Sequence, residues 1–256
     1  MTLSGGRAPL SPTRAGRFSS EVPDTLAYIE PYRRRVRAVV DGRTVIDSEE
    51  VLLVHRPTMP WYGFAFPEAD VPDDVRSTPV PDAPGYVRVS WEAVDQWIEE
   101  DEPVLGYVKN PYHRVDCLRS ARHIEVRAAD TVLADTDATV VLYETALEPR
   151  IYVRKEDVRM ELLRSSATTT FCGYKGAASY WDAVVGDVTI PDVAWSYEDP
   201  LPDVGCEMIR GRLSFDELRV TLVHDLPSGS IDHVRTAGTS PAFIEVPAAE
   251  VGPTCR

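Results

Sequence analysis

TVIDSEEVLLVHRP, residues 44–57, and VLADTDATVVLYET, residues 132–145, follow one pattern. Asp47 falls on Asp135, Ser48 on Thr136, and Leu52-Leu53-Val54 on Val140-Val141-Leu142. Each reads as strand, tight turn, strand: β-branched and aliphatic runs flank a short polar cluster whose side chains bond their own backbone. FAFPEADV (64–71) then lies over IYVRKEDV (151–158), one residue out of step. VRVSWEAVDQWIEE (87–100) shares its apolar spacing with GRLSFDELRVTLVH (211–224). Self-similarity of this length predicts a tandem duplication. The fold class expected is all-β, mainly antiparallel, in two related small domains with one or two short helices.

The expected organisation is a disordered tail over 1–24, an N-terminal domain over 25–105, an inter-domain segment over 106–121, a C-terminal domain over 122–226 and a tail over 227–256. The first segment is rich in Gly, Pro, Ser and Arg, which cannot bury enough apolar surface to order itself. The copies differ in the middle. Copy one has only PDDVRSTPVPDAP between Val71 and Gly85, where copy two carries a long segment between Val158 and Gly211. That bridge is too short and too rich in Pro to supply the missing strands.

HIEVRA, TVVLYE and RIYVR read as strands. ASYWDAVV-GD-VTIP reads as a hairpin turning at Gly186-Asp187, and LSFDELRVTLV as another. DVRMELLRS (157–165) reads as two helical turns capped by Asp157. In WEAVDQWIEEDE the residues Trp91, Val94, Trp97 and Ile98 keep helical spacing. The alignment of copies makes the segment a strand pair, and that reading is preferred.

The net charge of −14 repels phosphate backbones and argues against nucleic acid as a general partner. No apolar run approaches the roughly 20 residues that span a bilayer, and no secretory leader is seen, so a cytoplasmic location is expected without a membrane partner. Cys117, Cys172, Cys206 and Cys255 are far apart and form no CxxC pair, which fits a reducing compartment rather than a disulfide framework or a zinc site. Asp135-Thr136-Asp137 imitates a metal-binding DxD, but its repeat partner Asp47-Ser48-Glu49 also falls at a turn, so turn chemistry accounts for both. No metal site is expected, and cofactor and oligomeric state stay open.

TTTFCGYKGAASYW (168–181) carries the chemistry. Lys175 is one of only three lysines, with Lys109 and Lys155, among 27 basic residues. Its ammonium would favour the thiolate of Cys172, while Gly173 and Gly176 allow backbone amides to approach an anion. The plainer reading is a packed cysteine under a turn. Glu144 ends an apolar strand, where a charge needs a partner, and Arg150 and Lys175 are the candidates. Such a pair is either structural or a general acid/base. Tyr152, Tyr174, Trp195 and Tyr197 offer either an aromatic wall or ordinary core packing. NPYHRVDCLRSARH (110–123) joins the copies and is dense in hydrogen-bonding groups, among them His113 and Arg114.

TTTFCGYKG, with VLYETALEPRIYVRKEDVRMELL before it and DVAWSYEDPLP after it, resembles the DUF427 family, sometimes labelled nucleotidyltransferase-like. The resemblance spans roughly residues 30–225 and is sharpest in copy two. The family pattern T-x-C-P-Y-K-G is met by Thr170, Cys172, Tyr174, Lys175 and Gly176, with Gly173 in place of the proline. The resemblance implies a small, mostly β domain, here repeated. The paired metal-binding carboxylates that nucleotidyl transfer needs are not seen.

Together these residues predict a pocket in copy two lined by Glu144, Arg150, Tyr152, Cys172, Tyr174, Lys175, Gly176, Trp195 and Tyr197, with His113 and Arg114 supplied by the inter-domain segment. The leading expectation is the binding of a small polar or anionic molecule. The alternatives are an enzyme with Cys172 or Lys175 as nucleophile and Glu144 or His113 as proton carrier, and a structural module without a pocket.

Overall fold

The computed structural model describes residues 3, 5–18, 20–23, 25–56, 62–202 and 205–227. Most of the C-terminal tail expected over 227–256 lies outside the described residues. The chain divides into two units after His113. Both are antiparallel β structures whose only helices among the described residues are short 3-10 turns. No helix among the described residues is long and apolar enough to cross a membrane.

The first unit holds β1 (Tyr28–Tyr32), β2 (Val36–Val40), β3 (Arg43–Ser48), β4 (Val51–His55), β5 (Gly63–Pro67), β6 (Ser77–Pro79), β7 (Tyr86–Val89), β8 (Gln96–Glu99) and β9 (Glu102–Pro103). They form sheets of order β1-β4-β5-β7-β6 and β3-β2-β8-β9. One core unites them: Val36, Ala38 and Ile46 from one sheet meet Leu53, Phe64 and Phe66 from the other. Trp97 sits among them, stacked on Phe66 at 5.9 Å and on Trp91 at 5.5 Å between ring centroids. The strand reading of WEAVDQWIEEDE therefore holds, after a 3-10 turn at Trp91–Ala93.

The second unit holds β10 (Val115–Ser120), β11 (Ile124–Ala128), β12 (Thr131–Thr136), β13 (Thr139–Glu144), β14 (Arg150–Val153), β15 (Leu163–Cys172), β16 (Gly176–Val185), β17 (Val188–Ser196), β18 (Leu213–Phe215) and β19 (Thr221–His224). The sheets run β10-β13-β14-β18-β17-β16-β15 and β12-β11-β19. Alternation sends Val141, Ile151, Val153, Leu213 and Phe215 to the face that packs with Ile124, Val126 and Leu133 of the smaller sheet. The other face of the large sheet carries the site.

The registers of the two units agree. Val36 pairs with Ser48 and Val40 with Arg43, broken by a bulge after Ala38; Ile124 pairs with Thr136 and Ala128 with Thr131, broken by a bulge after Val126. β8 pairs with β2 as β19 pairs with β11. Ser48 Oγ donates to Asp70 at 2.6 Å, and Thr136 Oγ1 to Asp157 at 3.1 Å. The same hydroxyls accept the N–H of Glu50 and of Ala138. This is the turn chemistry read from Asp-Ser-Glu and Asp-Thr-Asp. β15 and β16 have no counterpart in the first unit's order.

Two local expectations are corrected. DVRMELLRS forms no two-turn helix: 3-10 turns occupy Lys155–Asp157 and Met160–Leu162, and β15 begins at Leu163. Asp157 is engaged by Arg154 and Thr136 and caps nothing. LSFDELRVTLV is not a hairpin, because β18 and β19 belong to different sheets. Asp216 turns the chain from one sheet to the other: its carboxylate accepts the N–H of Leu218 and its carbonyl those of Arg219 and Val220. The hairpin at Gly186-Asp187 is as read, with Val185 paired to Val188 and Gly186 at φ 58°.

Candidate functional site

Strand pairing brings the predicted residues together. Tyr152 pairs with Val140 and Arg150 with Leu142, so both share the face of Glu144 two residues on. Trp195 pairs with Tyr180. Cys172 is the last residue of β15 and pairs with Gly176 across the turn that holds Tyr174 and Lys175. Glu144, Tyr152, Cys172, Tyr174, Lys175, Trp195 and Tyr197 are all buried.

The connection from β17 to β18 passes over that turn. Leu201 N–H donates to the carbonyl of Lys175 at 3.1 Å. Gly176 lies beneath it at φ +99°, and a Cβ there would come within 3.4 Å of Asp199 O and of Leu201 N. Only glycine combines that backbone angle with that approach. Farther along, Gly211 N–H donates to Tyr197 O at 2.9 Å, and Arg210 reaches Glu198 O and Asp199. A 3-10 turn, Cys206–Ile209, packs two buried side chains onto the sheet.

Beneath this cover the Lys175 ammonium donates to Glu144 Oε2, with side chains only 3% and 2% exposed. Burial pulls the ammonium down, but Glu144, and then Cys172 and Tyr152, raise it above its ordinary value. Lys175 is thus held as a cation. Tyr152 is fully enclosed, and burial pushes its hydroxyl well above the phenol range. It accepts the Trp195 Nε1–H at 3.2 Å. The Arg150 guanidinium lies 5.7 Å from the centroid of Trp195 and meets Glu217 at 3.4 Å.

Two cysteines absent from the sequence reading of the site belong to it. Cys117 on β10 pairs with Leu142 and so shares the face of Glu144, and Cys206 comes down from the covering 3-10 turn. Their elements pack together, and each thiol is close enough to shift the other, with Lys175 and Glu144 acting on both. The neighbouring Cys206 thiol, helped by the Lys175 charge against burial, holds Cys117 below the ordinary thiol value. The Cys117 thiol and burial push Cys206 up. Spacing alone hid this pair. Alternation in VDCLRS could have placed Cys117 on the face of Glu144, but no sequence signal brings Cys206 to it.

At the edge of the buried pair the surface opens. A cavity of about 260 Å³ is lined by Arg114, Asp116, Tyr143, Glu144, Thr145 and Leu147. Arg114 Nε is held by Asp116 at 2.9 Å, and the side chain is 75% exposed. Thr145 fixes this start of β10, its Oγ1 accepting Arg114 N–H at 2.8 Å. His113 falls in the first unit, where its N–H donates to Asn110 O. Lys155 is engaged by Glu198 at 2.7 Å, away from the buried pair. Among the described residues no three His, Cys, Asp or Glu side chains gather as metal ligands.

No curated protein matches the chain. Residues 116–225, which take in Cys117, Glu144, the Cys172–Gly176 turn and the covering segment, match the model of a family described as a domain of unknown function (DUF427).

Proposed function

We propose that the second unit binds a small polar or anionic molecule in the cavity beside Glu144, with Arg114 as its anion-binding group. The observation that carries this reading is an open cavity lined by Arg114, Asp116 and Tyr143 beside Glu144, whose own side chain is 2% exposed in its pair with Lys175. The volume falls below the roughly 300–1,000 Å³ of drug-sized sites. The occupant is therefore small: a phosphate, or a carboxylate of a few carbons. Asp116 fixes the Arg114 guanidinium through Nε and leaves its terminal nitrogens for a planar or tetrahedral oxyanion. Tyr143, 39% exposed, supplies a ring at the rim. Trp195, Tyr152 and Tyr197, being buried, act as packing that holds Glu144 and Lys175 rather than as a wall facing the ligand.

The enzymatic alternative has less support. Lys175 is held as an ammonium by Glu144 and lacks the free amine pair that a nucleophile needs. Cys172 is 2% exposed, and the alternative requires a reachable thiol. A purely structural role fits the closed Glu144–Lys175 pair; the open cavity beside it and the exposed Arg114 are what favour binding.

The matched registers, bulges and Ser/Thr–Asp bonds of the two units support a tandem duplication in which the N-terminal copy lacks the strands of the Cys172–Lys175 hairpin. The acidic net charge supports a ligand other than nucleic acid, and the widely spaced cysteines support a cytoplasmic setting.

Calorimetric titration of the full chain with inorganic phosphate, acetate, succinate and pyruvate tests the reading. At least one of these anions is expected to bind, and Arg114→Ala to weaken that binding at least tenfold, about 1.4 kcal/mol, with the ligand-free melting temperature unchanged. Equal binding by Arg114→Ala, or no binding by any of the four, would refute it.

A further inference from the structure

We propose that Cys117 and Cys206 are a peroxide-reactive dithiol whose disulfide ties the β17–β18 connection down over the Glu144–Lys175 pair. This goes beyond the ligand-binding reading and does not depend on it. The observations are spatial. The two cysteines come from different elements, an edge strand of the large sheet and the 3-10 turn that covers it. Both side chains are buried, and the 3-10 turn that bears Cys206 packs against the strand that bears Cys117, close enough for each thiol to shift the other's titration. A disulfide asks for Cα atoms within about 7 Å, which the packing of the 3-10 turn on this strand permits.

Their surroundings make them unequal. Cys117, at 9% exposure, is the more reachable of the two thiols, and the nearby Lys175 charge favours its thiolate. Cys206 is 1% exposed, beneath the covering turn, where burial disfavours its thiolate. Cys117 is then the attacking thiol and Cys206 the resolving one. The oxidant is a hydroperoxide. The Cys117 thiolate attacks its terminal oxygen; the S–O bond forms, the O–O bond breaks, and the alkoxide leaves and takes a proton as alcohol. Sulfur is oxidised to sulfenic acid and the peroxide is reduced. The Cys206 sulfur then attacks the Cys117 sulfur. The S–S bond forms, the S–O bond breaks, and hydroxide departs with the Cys206 proton as water. In total, two thiols and one hydroperoxide give one disulfide, one alcohol and one water.

The closed connection is what the bond would change. The β17–β18 segment is held by the Leu201–Lys175 and Gly211–Tyr197 bonds and by Arg210. A covalent tie from Cys206 to β10 fixes it to the far side of the sheet, so that opening over Lys175 requires reduction first.

The test uses the full chain carrying Cys255→Ser, which removes the one cysteine outside the described residues. It is treated with tert-butyl hydroperoxide, alkylated, digested with trypsin and analysed by mass spectrometry. The expected product is a monomer lighter by two hydrogens, with peptides 115–119 and 176–210 joined and Cys172 still alkylated. Its melting temperature is raised, and reductant reverses both changes. Cys206→Ser is expected to stop at a sulfenic acid on Cys117 that dimedone captures. A disulfide through Cys172, sulfinic acid on Cys117 with Cys206 left free, or three unreacted thiols in the folded protein would each overturn the proposal. The last three readouts need no substituted site residue, so a poorly folding variant cannot obscure them.

Discussion

Lys175 and Glu144 hold opposite charges where almost no water reaches either. Each makes the other tolerable, and removing one leaves an uncompensated buried charge. Glu144→Gln is therefore expected to cost about 3–5 kcal/mol in urea unfolding of the chain, and Lys175→Met a similar amount. The double variant Glu144→Gln/Lys175→Met should cost much less than the sum, because neither charge is then orphaned. Additive losses would mean that the two side chains do not depend on each other. The sequence allowed this pair to be anticipated, since a carboxylate closing the apolar run VVLY and a scarce lysine between glycines both call for a partner. Cys206 could not be anticipated in the same way. It reaches Cys117 through an irregular segment whose path depends on glycine angles and backbone bonds, and these leave no periodic trace.

At the scale of elements, alternation and turn residues made most strands readable. The polar turns in TVIDSEEVLLV and VLADTDATVVL gave β3–β4 and β12–β13, HIEVRA gave β11, and Gly186-Asp187 gave the β16–β17 turn. Local pattern failed where tertiary pairing overrode it. LSFDELRVTLV has hairpin spacing, yet Asp216 spends its carboxylate and carbonyl on turning the chain across to the second sheet. MELL has helical propensity, but the need for a long strand from Leu163 confines it to one 3-10 turn. The turn bearing Lys175 depends on Gly176. Gly176→Ala would force φ +99° on a residue with a Cβ and press it against Asp199 O and Leu201 N. A loss of at least about 1–2 kcal/mol is expected, with faster hydrogen exchange at Leu201 as the covering segment loosens. Gly42→Ala, with nothing within 4 Å of the new Cβ, is the control that carries angle strain alone. Equal effects at both sites would show that the close approach over Gly176 is of no consequence.

At the scale of the whole molecule, the two units follow one strand plan but carry different polar groups. The first unit has His55, fully buried against the Tyr62 ring at 5.0 Å, with no hydrogen-bond partner for either ring nitrogen among the described residues. Burial lowers its pKa from 6.5 to about 4. The folded state thus binds this proton less readily than the unfolded chain does. Stability is full above pH 6.5 and falls as the pH drops from 6.5 toward 4. Between pH 7.5 and 5 the wild type should lose about 2 kcal/mol more than His55→Leu, read as the difference in urea unfolding free energies. Parallel pH profiles would place His55 in a better solvated setting. Nothing in the sequence singled this histidine out, because an apolar strand ending in His reads simply as a strand end.

The central claim is that Arg114 and Glu144 frame a ligand site above a buried ion pair. It is tested most directly by a crystal structure of the full chain purified from its own host without added small molecules. The predicted result is density for a small oxyanion within hydrogen-bond reach of the Arg114 terminal nitrogens, with Lys175 still on Glu144. Solvent alone in that cavity, with a bound metabolite elsewhere on the second unit, would contradict it.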